Sequence, residues 1–423
     1  MTGTQKTPHI PRGRAVAAVL ALALAVPLAA AASAQAAPAA APEPLATAQH
    51  RATDAPAVRP ELPRPTGRFT VGRDTLHLVD KSREDPWVPS AGARELMLSL
   101  YYPARGTGGR GTAYTSKAAA KELLAYNELD GRVSAADYSS TRTYARIGAH
   151  PARGRFPLVV LSPGFTAPRS TLTHLAEDLA SRGYVVATVD HAYEAAGAEF
   201  SGGRVLPCVG CAAGGGDSGP RVTADRAKDL SYVLDRLVGG KSGRAGEAGR
   251  AGEAGRAGEA GEATWRHSGM IDARRVGVGG HSIGGAATAA LMDTDPRVRA
   301  GMNMDGGFHT RPDSVDRPFL LLGTTTTTQA GDPYDWGAAW PHLEGWKRWL
   351  TVAGSGHFTF TDVPVVLGQL GEHDPAAPIS GRRSEEITRA YIAAFYDRHL
   401  RGIEQPLLDG PTPAHPEVGF HRP

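Results

Sequence analysis

Residues 67–405 of this 423-residue chain predict an α/β domain, a mostly parallel central sheet with helices on both faces. Three observations carry that expectation. Continuous apolar runs recur at FPLVVLS, YVVATVDH and RPFLLLG, and strands buried on both faces read this way. Between such runs lie stretches with helical spacing, RSTLTHLAEDLASRG and RVTADRAKDLSYVLDRLVGG, each stopped by glycine. The two kinds of segment alternate along most of the chain, which is the pattern of parallel strands joined by crossover helices.

The elements can be taken in order. Lys6, Arg12 and Arg14 precede an apolar run from Ala15 to Ala32 that Pro27 interrupts, followed by Ala32-Ser33-Ala34 and Ala34-Gln35-Ala36. A positive start, an apolar core and small-residue cleavage sites are the layout of a secretory signal peptide over residues 1–36. The run is short for a membrane span, so the expectation is a secreted, extracellular protein. Residues 37–66 are rich in Ala and Pro with little periodicity and read as a flexible leader. RFTVG and DTLHLVD, then RELMLSLYYPA, alternate at period two and predict an opening antiparallel pair. FPLVVLSPG and YVVATVDH follow as buried strands. ARRVGVGGHS, VRAGMNMDGG, RPFLLLGTT and WKRWLTVAGSGH are further strand-to-loop junctions, and SEEITRAYIAAFYDRHLRG is a closing helix. Residues 406–423 read as a Pro-rich C-terminal tail.

One stretch breaks this order. Residues 243–263, GRAGEAGRAGEAGRAGEAGEA, carry glycine at every third position, the collagen period, but contain no proline. They read as a low-complexity surface loop, tolerated because loop-closure entropy grows slowly with length.

Composition narrows the function. Lys plus Arg number 46 and Asp plus Glu 43, for a net charge of +3, with no basic block interleaved with aromatics. Nucleic acid is therefore not an expected partner. The two cysteines, Cys208 and Cys211, are too few for a structural zinc site and read as a tight local disulfide. No metal-ligand cluster or phosphate loop is evident, so no cofactor is expected. Oligomeric state is not legible.

Gly280-His281-Ser282-Ile283-Gly284 fits G-x-S-x-G, with RRVGVG supplying a strand before it and IGGAATAAL a helix after it. That strand–turn–helix is the context a nucleophile elbow requires, and Gly279, Gly280, Gly284 and Gly285 leave room for the strained turn. Ser282 is the expected nucleophile, and the N–H of Ile283 is one expected oxyanion-hole donor. His281 is adjacent, but neighbours at so sharp a turn project in different directions, so it is expected to pack beside the elbow. A base must come from a separate loop within hydrogen-bond reach. Among the histidines after Ser282, His357 directly follows an apolar strand across Gly354-Ser355-Gly356, and it is the expected base. For the acid, spacing leaves Asp305, Asp332 and Asp335 open, since each follows a strand.

The stretches RELMLSLYYPA, PLVVLSPGFTAPRSTLTHLAEDLASRGYVVATVDH, RRVGVGGHSIGG, GMNMDGG and SGHFTFTDVP, in this order, resemble the platelet-activating-factor acetylhydrolase family and related bacterial secreted lipases and esterases. The resemblance implies an α/β-hydrolase fold with Asp305 as the acid and the backbone N–H of Phe165 as the second oxyanion-hole donor. Pro163 stands where the family usually has histidine, which leaves a main-chain donor intact but puts its neighbouring hydrogen bonds in question. The implied activity is serine carboxylic ester hydrolysis, calcium-independent, on lipid or short-acyl esters, with transient contact with a lipid surface. A polyester- or cutin-type hydrolase is the alternative, and a non-enzymatic binding scaffold the remoter one. Phe165, Phe308, Trp336, Trp340 and Phe358 are apolar residues near the expected mouth, where they would suit an acyl or aromatic group, with ordinary core packing the alternative for each one alone.

Overall fold

A computed structural model describes residues 58–212, 215–239, 264–326 and 336–421. The expected signal peptide, most of the leader, the 243–263 repeat, Asp332 and Asp335 lie outside these residues. In chain order the strands are β1 (Thr70–Glu84), β2 (Ala93–Arg105), β3 (Arg110–Ala113), β4 (Arg142–Ile147), β5 (His150–Pro151), β6 (Phe156–Ser162), β7 (Val185–His191), β8 (Ala198–Phe200), β9 (Arg204–Leu206), β10 (Ile271–His281), β11 (Val298–Met304), β12 (Phe319–Thr324), β13 (Lys347–Val352) and β14 (Val418–His421). The α-helices are α1 (Lys117–Tyr126), α2 (Ala135–Ser139), α3 (Thr173–Arg182), α4 (Val209–Ala212), α5 (Gly215–Val238), α6 (Ile283–Thr294), α7 (Trp336–Ala339), α8 (Val363–Gln369) and α9 (Gly381–Arg401).

The main sheet runs β14-β13-β12-β11-β10-β6-β7-β2-β1-β4-β3, with β5 paired to β2. From β13 to β7 every neighbouring pair is parallel. The expected opening pair, β1 and β2, is antiparallel, and β2 also runs antiparallel to β7. Successive residues of a strand point to opposite faces, and β6 shows the consequence. Leu158 and Val160 pack with Leu230, Val233 and Leu234 of α5 on one face. Val159 and Leu161 pack with Leu175 and Leu179 of α3 and Ile387 of α9 on the other. Full burial of such a side chain contributes about 1.5–3 kcal/mol, which is why these strands are apolar at every position rather than at every second one.

Two boundaries need correction. The chain from Pro60 to Gly67 is laid against the domain rather than free as a leader. Leu62 is fully buried and donates its N–H to Arg142 O (3.0 Å), and Thr66 bonds the Asp178 carboxylate through N–H and hydroxyl. Its Ala/Pro composition hides a single apolar anchor, which periodicity cannot register. Nor do residues 406–421 form a loose tail. Leu408 is buried, Arg383 grips the Glu417 carboxylate with two donors, and Val418–His421 adds β14 antiparallel to β13. Prolines before a short edge strand masked it.

Candidate active site

Ser282 ends the turn between β10 and α6 with φ 55 and ψ −128, a backbone region that side chains other than glycine rarely occupy. Its N–H donates to Met304 O of the neighbouring strand β11 (2.7 Å), which fixes the turn from below. A Cβ at Gly280 or Gly284 would overlap the Ser162 main chain, so glycine is required on both sides of the serine. Helix α6 has no side-chain cap at its N-terminus. Its first N–H groups, Ile283 foremost, are unsatisfied within the helix, and helix N-termini of this kind favour anions.

His357 follows β13 across residues 353–356 and begins a short helical turn, His357–Phe360. Its Nε2 lies 3.0 Å from Ser282 Oγ and its Nδ1 2.7 Å from Asp305 Oδ2. One tautomer serves both contacts, with Nδ1–H donating to the carboxylate and Nε2 accepting from the hydroxyl. The His357 side chain is 46% exposed while Asp305 is buried to 2%. Asp305 sits just past β11 at φ 55, its N–H on Leu322 O (2.9 Å) and its Oδ1 taking the Thr324 N–H (2.7 Å). Asn303 pins the same turn by exchanging two hydrogen bonds with Gly306. Ser282, Asp305 and His357, all expected from sequence, are thus brought together.

His281 points away from the serine. Its Nε2–H donates to the main-chain oxygen of His357 (2.7 Å), so it clamps the loop that carries the imidazole. Burial, with the His357 ring beside it, pushes His281 down to about 3, which keeps it neutral.

The loop after β6 carries Pro163, Gly164 and Phe165. A Cβ at Gly164 would lie 3.3 Å from Ser282 Cβ and 2.8 Å from His281 Nδ1, so only glycine lets this loop approach the elbow so closely. Phe165 is half-buried, its ring 5.9 Å from that of Trp87. Phe358 is 37% exposed and stands beside both His281 and His357. Phe308 and Trp336, expected beside it, are corrected to core residues, since both pack inside one buried cluster. Trp336 is fully enclosed and donates its indole N–H to Gly306 O (2.7 Å), where it braces the Asp305 turn. Trp340 is only partly buried, packed on that cluster with Lys347 over its ring. Cys208 and Cys211 form a disulfide, and Gly210 between them packs against Phe165 and Trp87.

A second cluster, not read from the sequence, lies beneath this loop. Ser162 Oγ is 3.0 Å from His191 Nε2, and His191 Nδ1 is 2.7 Å from Asp229 Oδ2. All three residues are buried. Arg94 joins Asp229 (2.8 Å), Glu194 (2.6 Å) and Asp85 (2.8 Å), and Arg226 joins Glu194 (2.7 Å). Burial alone would raise both carboxylates, but the arginines outweigh it. Glu194 is held at about 2 by Arg226 and Arg94, and Asp229 well below the usual range by Arg94 and His191. Burial, and then Arg226, lowers His191, so its imidazole is neutral. The sequence signal was there in Arg94 at the head of the largely apolar strand β2 and in the charges of α5.

With this geometry in view, relatives can be compared. The profile of the family described as platelet-activating factor acetylhydrolase, isoform II, matches residues 58–201 and 264–376, more than half of the chain. The chain belongs to this family. It is a carboxylic ester hydrolase of the α/β-hydrolase fold. A probable 1-alkyl-2-acetylglycerophosphocholine esterase of Arthroderma benhamiae is 26% identical over 402 residues, 85% of this chain and 93% of that protein. A bis(hydroxyethyl) terephthalate hydrolase of Streptomyces coelicolor is 28% identical over 186 residues, 42% of each chain. The solved structure of a ferulic acid esterase from Streptomyces cinnamoneus superposes with a TM-score of 0.72 at 44% identity, covering 86% of this chain and all of that one. Among the described residues no group of side chains could hold a metal ion, and no helix is long and apolar enough to cross a membrane.

Proposed function

We propose that this family member is a secreted serine esterase that works through an acyl-enzyme. The observation that carries the reading is the hydrogen-bonded chain from Ser282 Oγ through His357 to Asp305, with the imidazole at the surface. In the forward half-reaction Ser282 Oγ attacks the ester carbonyl as its proton passes to His357 Nε2. The carbonyl oxygen becomes the oxyanion and accepts from the N–H groups of Phe165 and Ile283, and each such donor contributes roughly 3–4 kcal/mol in the transition state. His357 then protonates the departing alcohol. Water enters, gives its proton to His357, and the carboxylic acid leaves as Ser282 recovers its hydrogen. Asp305 keeps Nδ1 protonated and stabilises the imidazolium throughout.

The substrate we propose is a lipid or other ester with a short acyl chain, entering past Phe358. A second reading, an aromatic acyl group, is favoured by the likeness to the ferulic acid esterase and the terephthalate hydrolase. A panel of a short-acyl phospholipid, methyl ferulate, bis(hydroxyethyl) terephthalate and p-nitrophenyl acetate separates these, with Ser282→Ala as control. Turnover that survives Ser282→Ala would defeat the mechanism. Secretion is supported by the basic, apolar and small-residue order of residues 1–36. N-terminal sequencing of protein from culture medium tests it.

A further inference from the structure

Pro163 has no N–H to anchor the loop that carries the Phe165 donor. Its carbonyl is instead gripped by Arg226 Nη1, while Nη2 of the same guanidinium reaches Gly164 O at 3.5 Å and Nη1 reaches Ser162 Oγ at 3.3 Å. The Ala167 N–H also donates to Gly164 O (3.3 Å). Across a planar trans peptide the C=O and N–H point in opposite directions. Holding Gly164 O toward Arg226 therefore turns the Phe165 N–H away from Arg226, and Gly164 itself lies against the elbow, where an added Cβ would come 3.3 Å from Ser282 Cβ. Among the described residues that N–H has no acceptor.

Glu194 closes the clamp at both ends. Its carboxylate holds Arg226 Nε (2.7 Å), and its main-chain oxygen takes the N–H of Thr166 (2.9 Å), a residue strained at φ 70. Ser162, gripped by Arg226, is held from beneath by His191 and Asp229. A buried ion pair adds little stability over well-packed apolar residues, so its main-chain contacts beside the nucleophile are the more telling feature. Only a guanidinium can serve a carboxylate, a hydroxyl and two carbonyls from one planar fork; a lysine ammonium cannot span them.

We propose that Arg226, oriented by Glu194, is a positioning residue that aims the Phe165 N–H at the developing oxyanion. This rests on the esterase reading above. The test uses the full chain with Arg226→Lys, Arg226→Gln and Glu194→Gln, active sites counted by fluorophosphonate titration, p-nitrophenyl acetate as substrate and a trifluoromethyl ketone as oxyanion mimic. Arg226→Lys is expected to lower kcat per titrated site on the order of 10²-fold with little change in KM, and Arg226→Gln further. The ketone should lose affinity by the same factor. A purely structural role would lower the melting temperature and the number of titrated sites while kcat per site and ketone affinity stay put, and that result overturns the proposal. If the Arg226 variants do not fold, Glu194→Gln carries the test, since it retains an acceptor oxygen but loses the charge. About tenfold slower turnover with matched loss of ketone affinity is then expected, and turnover within about threefold of wild type refutes it. A wild-type protein that hydrolyses no ester defeats the enzymatic reading instead.

Discussion

Among the described residues two Ser–His–Asp chains share one local geometry. In Ser282–His357–Asp305 and in Ser162–His191–Asp229 the hydroxyl stands 3.0 Å from Nε2, and the carboxylate 2.7 Å from Nδ1. They differ in everything around those contacts. The His357 side chain is 46% exposed and that of His191 1%. Ser282 heads a helix whose Ile283 and Gly284 N–H groups find no acceptor among the described residues, whereas Ser162 ends a buried strand and its Oγ receives Arg226 as well. The Asp229 carboxylate is shared among His191, Arg83 and Arg94. Equal hydrogen-bond distances thus accompany unequal access, and the mechanism proposed above assigns the chemistry to the accessible chain alone. The buried chain supports the loop over which the exposed one works.

The sharpest way to break this comparison is at the two serines. Ser282→Ala should lower kcat on p-nitrophenyl esters on the order of 10⁶-fold, and Ser162→Ala by less than about tenfold. Comparable losses would mean that the buried chain takes part in chemistry. Next come the aspartates. Asp305→Asn should cost about 10⁴ in kcat with the fold intact, because the imidazole loses its tautomer. Asp229→Asn leaves Arg94 and Arg83 short of a buried counter-charge and should destabilise by roughly 3–5 kcal/mol in denaturant melts while folded protein stays active. Gly164→Ala must push the loop off His281 and should slow turnover about 10²-fold, a misplacement effect readable in kcat. If its kcat is unchanged, the loop is not where the reaction needs it.

A smaller effect concerns pH. His281 has its folded value near 3, below its ordinary 6.5. Between those values the unfolded chain takes up a proton that the folded protein refuses, so this residue's contribution is complete above 6.5 and shrinks as pH falls toward 3. Melting temperatures from pH 7 to pH 4 should fall less steeply in His281→Gln than in wild type, and parallel curves would contradict this. Smallest of all, reduction of the Cys208–Cys211 bridge, a sequence separation of 3, should cost at most about 2 kcal/mol because the closed loop is so short.

Legibility followed locality. Ser282 and His357 could be named because each sits in a short stretch that announces strand, turn and side chain together. Asp305 could not be separated from Asp332 and Asp335 by spacing, since each follows a strand, and it was the GMNMDGG resemblance that favoured it. Phe308 and Trp336 can be read from sequence as either mouth or core residues, because an apolar side chain near a loop carries no sign of which way it faces. Only the packed cluster turned them inward.

The sequence by itself determined the α/β alternation, the elbow and the family, because all three rest on patterns a few residues long that burial on both faces and a strained turn impose directly. The tertiary structure alone decided that Ser162, His191, Asp229 and Arg226 form one buried network, since the hydrogen bonds that join it span 29, 38 and 64 positions and form only when β6, β7 and α5 pack. It likewise decided that the segment before β1 and the Pro-rich end belong to the domain. Long-range contacts of this kind carry no local period, and burial without a partner is too costly to leave such charges alone.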